Sequence, residues 1–184
     1  TRNYSTMISF KYPVLIVLGV ALMVSCKNQE QKPIANETKS EIKQLEDSLL
    51  ANQNGKNYLV TAPELIRLMS EYVSKNPTDT VCASYLFKSG DISRGLGKMD
   101  DAIKYWQNLC EKYPEHKRAP DALFLQAFTY ENNIKDLDKA KKLYEEFLQK
   151  YPTHPFAENI PVILANLGKS PEELIEAFKQ KNNN

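Results

Sequence analysis

The sequence predicts an all-α fold, a stack of about four antiparallel helical hairpins, and three observations carry that reading. After Ser40, apolar residues recur at three- and four-residue intervals, while only six glycines and almost no strand-like alternation occur. Asn76-Pro77, Tyr113-Pro114 and Tyr151-Pro152 punctuate the chain 37 and 38 residues apart. Residues 98–119 laid over 136–157 match at 8 of 22 positions: Asp100/Asp138, Ala102/Ala140, Lys104/Lys142, Lys112/Lys150, Tyr113/Tyr151, Pro114/Pro152, His116/His154 and Ala119/Ala157. A period of this size marks supersecondary units that bury their apolar faces by stacking on neighbours.

The first segment is of another kind. Arg2 and Lys11 precede an apolar run, Pro13 to Val24, which ends in Ser25-Cys26, and no acidic residue occurs before Glu30. A basic start, a short apolar run and a small residue at its end form a secretory signal, assigned to residues 1–25. A membrane-spanning helix needs about 20 apolar residues, which this run does not reach. Thr1 is not a start residue, and Met7 is the only methionine ahead of the run. The precursor is therefore expected to begin at Met7, with residues 1–6 upstream. Residues 26–39 are polar and read as a flexible tether.

Charge excludes some partners. Against 24 Lys and Arg and 23 Asp and Glu, loss of Arg2 and Lys11 with the signal leaves a chain near −1. That provides no footprint for nucleic acid or for an anionic lipid surface.

The repeat domain is expected over 40–181. Ile42, Leu45, Leu49 and Leu50 share a helix face, which the run from Asn52 to Asn57 ends. Helical stretches Glu64–Lys75, Asp101–Lys112 and Lys139–Lys150 each precede a proline turn. In the last unit, Ser170-Pro171-Glu172-Glu173 sets a capping serine, a first-turn proline and a capping-box glutamate in order. Leu174, Ile175 and Phe178 continue as an apolar stripe. The hairpins are placed at 40–75, 79–113, 118–151 and 155–181, with residues 182–184 a polar tail.

Two resemblances add to this reading. Met23-Val24-Ser25-Cys26 resembles the bacterial lipobox. That implies diacylglycerol on the Cys26 thiol, cleavage before it and acylation of the new amino terminus, palmitate being a usual acyl chain. Asp100-x-Ala102-Ile103-x-x-Trp106-x-x-Leu109 with Pro114 resembles the second helix of a tetratricopeptide repeat, as does Lys139-Ala140-Lys141-x-x-Tyr144-x-x-Phe147 with Pro152. Gly90, twelve residues before Ala102, matches the family's other small position. Ala127 lies thirteen before Ala140, which implies a one-residue insertion near Asn132-Asn133. Ser89 and Ser93 depart from the pattern and are expected to weaken their helix.

The second resemblance implies a right-handed tetratricopeptide-like solenoid whose first helices line a concave partner-binding groove. Carried over by position, the groove residues are Phe87, Asp91 and Arg94, then Phe124, Phe128 and Glu131, then Val162 and Asn166. Phe124 and Phe128 are equally suited to packing between repeats. The Ala-Pro-Asp-Ala-Leu and Tyr-Pro-x-His segments resemble repeat lipoproteins of Gram-negative envelopes. These include the barrel-assembly-machine lipoprotein and the periplasmic cell-division coordinator. Lys27 stands where an inner-membrane retention signal would put aspartate, which by that analogy favours the outer membrane facing the periplasm. The implied function is a non-enzymatic docking scaffold for a protein partner, anchored to the membrane through Cys26. A barrel-assembly subunit, a cell-wall glycan binder and an enzyme accessory are the alternatives.

Reactive residue types are few. His116 and His154 are the only histidines. They occupy equivalent turns about one helix-packing distance apart, roughly 8–10 Å, which suits a turn residue better than shared metal ligation at about 2 Å. Cys82 and Cys110 fall at the meeting ends of one hairpin, so a disulfide is open to them in an oxidising envelope; small buried apolar roles are the alternative. Glu145-Glu146 and Glu172-Glu173 read as solvated faces. No phosphate loop, supported nucleophile or metal cluster is present, so no catalytic residue, cofactor or metal is assigned. Tyr105, Trp106, Tyr144, Phe147 and Tyr151 read as repeat core.

Overall fold

The computed structural model describes residues 35–51 and 57–182. The signal over 1–25, lipidation at Cys26 and the tether up to residue 34 lie outside the described residues, as do residues 183 and 184. By internal contacts the chain falls into Thr1–Gln44 and Leu45–Asn184. Residues 35–51 are helical (α1). Helix therefore begins inside the stretch assigned to the tether. The reason is local: no glycine or proline occurs between Ile34 and Asn54, while the apolar periodicity starts only at Ile42. Leu50 is 66% exposed, so it does not share the burial of Ile42. All that follows concerns the second unit.

Its helices are α2 (Tyr58–Lys75), α3 (Cys82–Gly95), α4 (Met99–Lys112), α5 (Ala119–Thr129), α6 (Leu137–Lys150), α7 (Ile160–Asn166) and α8 (Pro171–Asn182). A π-helical turn, Tyr130–Ile134, follows α5, and a 3-10 turn, Pro155–Glu158, precedes α7. No strand occurs among the described residues. The architecture is the expected all-α array of stacked hairpins. The helices from α2 to α7 pack chiefly on their neighbours in the chain.

Three helices present the same buried register, one repeat apart. Leu65, Met69 and Tyr72 of α2 match Ala102, Trp106 and Leu109 of α4, and Ala140, Tyr144 and Phe147 of α6; all nine are buried. Small residues face the large central ones. Gly90 of α3 meets Trp106, and Ala127 of α5 lies in one core cluster with Tyr144. Ser89 and Ser93 are buried in an unbroken α3. Ser89 Oγ spends its hydrogen on Met69 Sδ at 3.7 Å, whereas Ser93 Oγ has no partner. The expected weakening does not interrupt the helix.

The one-residue insertion is where the spacing put it. Between α3 and α4 the chain turns through Gly97 (φ 75°), and Lys98 N–H donates to the Ser93 carbonyl at 2.9 Å. Between α5 and α6 the matching bond runs from Asp136 N–H to the Tyr130 carbonyl at 3.0 Å, one residue longer. The π turn takes up the extra residue, and Lys135 adopts φ 66° to leave it. The final unit is shorter. Pro155 and Pro161 hold it to a 3-10 turn and the 7-residue α7. The capping box forms as expected: Ser170 N–H donates to Glu173 Oε2 at 2.7 Å, and Glu173 N–H to Ser170 Oγ at 3.2 Å.

Candidate docking face

The proline turns build the face. Asn76, Tyr113 and Tyr151 adopt nearly one conformation (φ −132°, −135°, −131°; ψ 52°, 54°, 53°). Three residues on, Asp79, His116 and His154 each accept a hydrogen bond from the backbone N–H two residues ahead. Val81 N–H reaches Asp79 Oδ1 at 3.1 Å, Arg118 N–H reaches His116 Nδ1 at 3.2 Å, and Phe156 N–H reaches His154 Nδ1 at 3.3 Å. The histidines are turn residues encoded by the repeat, as their spacing indicates. Among the described residues no group of three His, Cys, Asp or Glu is placed to hold a metal.

This turn fixes the residue before the next helix and sends its side chain back over the preceding repeat. Arg118 lies over Phe87, with Cζ 3.8 Å from the ring centroid. Phe156, its counterpart one repeat on, lies 4.7 Å from Phe124, the counterpart of Phe87. Phe87 is consequently 5% exposed. Phe124 is half-buried and also contacts Phe128, Tyr144 and Phe147.

Ionic groups continue the face. Arg118 Nη1 donates to Asp121 Oδ2 at 2.8 Å, and His154 Nε2 lies 3.7 Å from Asp121 Oδ1. Because His154 Nδ1 accepts from the backbone, the neutral ring carries its proton on Nε2, toward Asp121. Burial raises the pKa of the half-buried Asp91; Arg94 and Arg118 oppose that rise and Asp121 adds to it. Arg94 is exposed, with Cζ 6.0 Å from the Trp106 ring.

The groove residues assigned by position thus divide. Arg94, Phe128 (39%) and Val162 (63%) are exposed. Asp91, Phe124 and Asn166 are half-buried, and Asn166 Nδ2 donates to the Val162 carbonyl at 2.9 Å. Phe87 is covered by Arg118. Glu131 is engaged, accepting from the Tyr144 hydroxyl at 2.7 Å; burial, then this carboxylate, holds the phenol well above the usual tyrosine range. Arg118, Asp121 and Phe156 escape the positional reading. Their signal is nonetheless in the sequence, two residues after each repeated histidine and five after His116.

Of the two roles open to Cys82 and Cys110 in the sequence, the structure has them not bonded to each other. Each thiol serves its own turn. Cys82 Sγ donates to the Asn76 carbonyl at 3.1 Å, and Cys110 Sγ to the Ala119 carbonyl at 3.5 Å. Burial pushes the Cys110 thiol up to about 11, so it is a poor nucleophile at neutral pH. Cys110 also lines a cleft of about 360 Å³ between α4, α5 and α6, with Gln126, Tyr130, Lys142, Glu146 and Lys150. Within it Lys150 pairs with Glu146 at 2.7 Å.

The tetratricopeptide repeat family model matches residues 84–116 and 121–154. These spans cover most of α3 with α4 and of α5 with α6 and include Phe87 and Phe124, while Arg118 lies in the link between them. No curated protein matches the chain. Tetratricopeptide repeats point to interaction with other proteins.

Proposed function

We propose that the chain is a non-enzymatic docking scaffold of a bacterial envelope. Lipid on Cys26 anchors it, most naturally to the outer membrane facing the periplasm, and the face of α3 and α5 captures a protein partner. The observation that carries the docking reading is the pair of tetratricopeptide repeats at 84–116 and 121–154, joined by Arg118 into one surface of cations and exposed aromatics. Anchoring would act by raising the local concentration of this face near membrane-bound partners. The anchor rests on Met23-Val24-Ser25-Cys26. Several acyl chains suffice for stable attachment, since each buried methylene contributes about 0.8 kcal/mol.

Copurification from detergent-solubilised membranes tests docking. Arg94→Ala with Phe128→Ala should lose a protein that the unaltered chain retains; undiminished recovery of every partner overturns the reading. The anchor has a separate test. Cys26→Ser should abolish labelled-palmitate incorporation and release the chain to the soluble fraction, and unchanged labelling would exclude Cys26 as the acceptor.

A further inference from the structure

We infer that the cleft between α4, α5 and α6 binds a small zwitterion of dipeptide size, with its carboxylate at Lys142, its ammonium at Glu111 and an N–H donor between them at Gln126. The site is separate from the docking face. None of its lining comes from α3, and it reads two free charged ends, which an internal segment of a protein lacks.

The charges that line the cleft are sorted along it. Lys139 and Lys142 lie in the first half of α6, Glu146 and Lys150 in the second. At the first end Lys139 Nζ is 5.1 Å from the Tyr130 ring centroid and 3.0 Å from Asp136. The Lys139 backbone N–H chiefly lowers the Asp136 pKa, and Lys142 adds to the effect, which places Lys142 at this end. At the other end the Cys110 thiol feels burial first, then Lys150, Glu146 and Glu111. Most of these charges answer one another: Asp136 holds Lys139, and Glu146 holds Lys150 at 2.7 Å. Two are left over. Lys142 is exposed and makes no ion pair among the described residues. Glu111 is exposed, and its partner among the described residues is the neutral Gln107, whose Nε2 donates to it at 2.7 Å. One unanswered cation and one unanswered anion at opposite ends of a cleft complement a zwitterion.

The floor supplies the third contact. Gln126 lines the cleft and is 4% exposed. Its Nε2 donates to the Ala122 carbonyl at 3.4 Å and to Cys110 Sγ at 3.5 Å. Turning the amide over would set Oε1 against the Ala122 carbonyl, which fixes the nitrogen on that side. Oε1 then accepts nothing among the described residues, yet it is not one of the orphaned polar atoms shut inside the core, which are Ser93 Oγ, Trp106 Nε1 and Thr129 Oγ1. What surface it keeps opens on the cleft. A buried carbonyl without a donor is costly, and an N–H from a ligand removes that cost. Leu123 and Leu143 line the same cleft and give an apolar side chain its cover.

Size follows from the helix. One turn of α6, about 6 Å, separates Lys142 from Glu146, and Glu111 shares the Glu146 end. An extended chain advances about 3.3 Å per residue, so the ends of a dipeptide span that turn and those of a single amino acid do not. The volume of about 360 Å³ falls at the small end of ligand pockets, roughly 300–1,000 Å³.

Calorimetry of the purified full chain with alanyl-leucine tests this. Alanyl-leucinamide lacks the carboxylate, N-acetylalanyl-leucine lacks the ammonium, and alanyl-N-methylleucine lacks the peptide N–H. Each of these, and leucine alone, should bind at least five-fold more weakly. Lys142→Gln should abolish the preference for the acid over the amide, and Glu111→Gln the preference for the free amine over the acetylated one. Thermal melts report whether the variants fold, and the comparison among ligands needs no variant. Alanyl-leucine should also slow labelling of Cys110 by N-ethylmaleimide at pH 7, followed by peptide mass spectrometry. No binding of alanyl-leucine up to its solubility limit, equal affinity for the blocked forms, or binding that leaves Cys110 labelling unchanged overturns the inference. Each of these results leaves docking, tested at Arg94 and Phe128, standing.

Discussion

Gly90 and Trp106 leave no room between them for a single carbon: a Cβ on Gly90 would lie 2.2 Å from Trp106 Nε1 and 2.5 Å from Cδ1. Helix propensity alone would make alanine better there by about 1 kcal/mol. Crowding opposes this, because overpacking typically costs about 1–3 kcal/mol. Gly90→Ala is therefore expected to lower stability in urea titration despite the better helix former. Adding Trp106→Leu should recover part of the loss that Gly90→Ala causes. Strict additivity of the two changes would show that they do not share the contact.

The π turn is expected to tolerate deletion. Removing Asn133 restores the spacing found between α3 and α4, so the melting temperature should stay within about 3 °C, as for a change below about 1 kcal/mol. Removing Leu125 from α5 instead turns every later buried residue of that helix by about 100°, and the chain should not fold. Equal effects of the two deletions would argue against a simple insertion.

His116 is replaceable by the residue that does its work one repeat earlier. Asp79 accepts the same backbone hydrogen bond, so His116→Asp should retain the turn, while His116→Ala should cost about 0.5–2 kcal/mol, as loss of a cap does. The pH dependence separates them further. Burial, then Lys117 and Arg118, lowers the His116 pKa. A histidine harder to protonate in the fold contributes stability above its unfolded value, about 6.5, and loses it as pH falls toward the folded value. Melting temperatures from pH 8 to 5 should fall less steeply for His116→Asp than for the unaltered chain.

Asp91 has the opposite sign. Its pKa is raised by burial, so its contribution is present at low pH and lost as pH rises through the raised value. Asp91→Asn, which imitates the neutral acid, should melt higher at pH 7, and the difference should vanish near pH 3. A lower melting temperature at pH 7 would mean that the two arginines stabilise the carboxylate more than burial opposes it.

The core was readable because backbone period and side-chain size agree. Ala102 with Trp106 and Ala140 with Tyr144 recur at the spacing that close helix crossing needs, and all four are buried. Even the insertion could be placed, from Ala127 lying one residue too far from Ala140. The face was less readable because it is assembled by turns. Position along α3 nominates Phe87, yet nothing in α3 says that Arg118 covers it; that depends on the His116 turn. The cysteines were ambiguous for a similar reason. Proximity of helix ends does not fix where a thiol points, and here one thiol meets the Asn76 carbonyl and the other the Ala119 carbonyl.

The packing of α2 to α7 on chain neighbours also determines how the molecule comes apart. No loop must close over a long distance before contacts form, so folding should be fast and should spread from one hairpin to the next. Under a pulling load, the same topology means sequential yielding. Hairpins would peel away from an end one at a time, and each would re-form when the load drops.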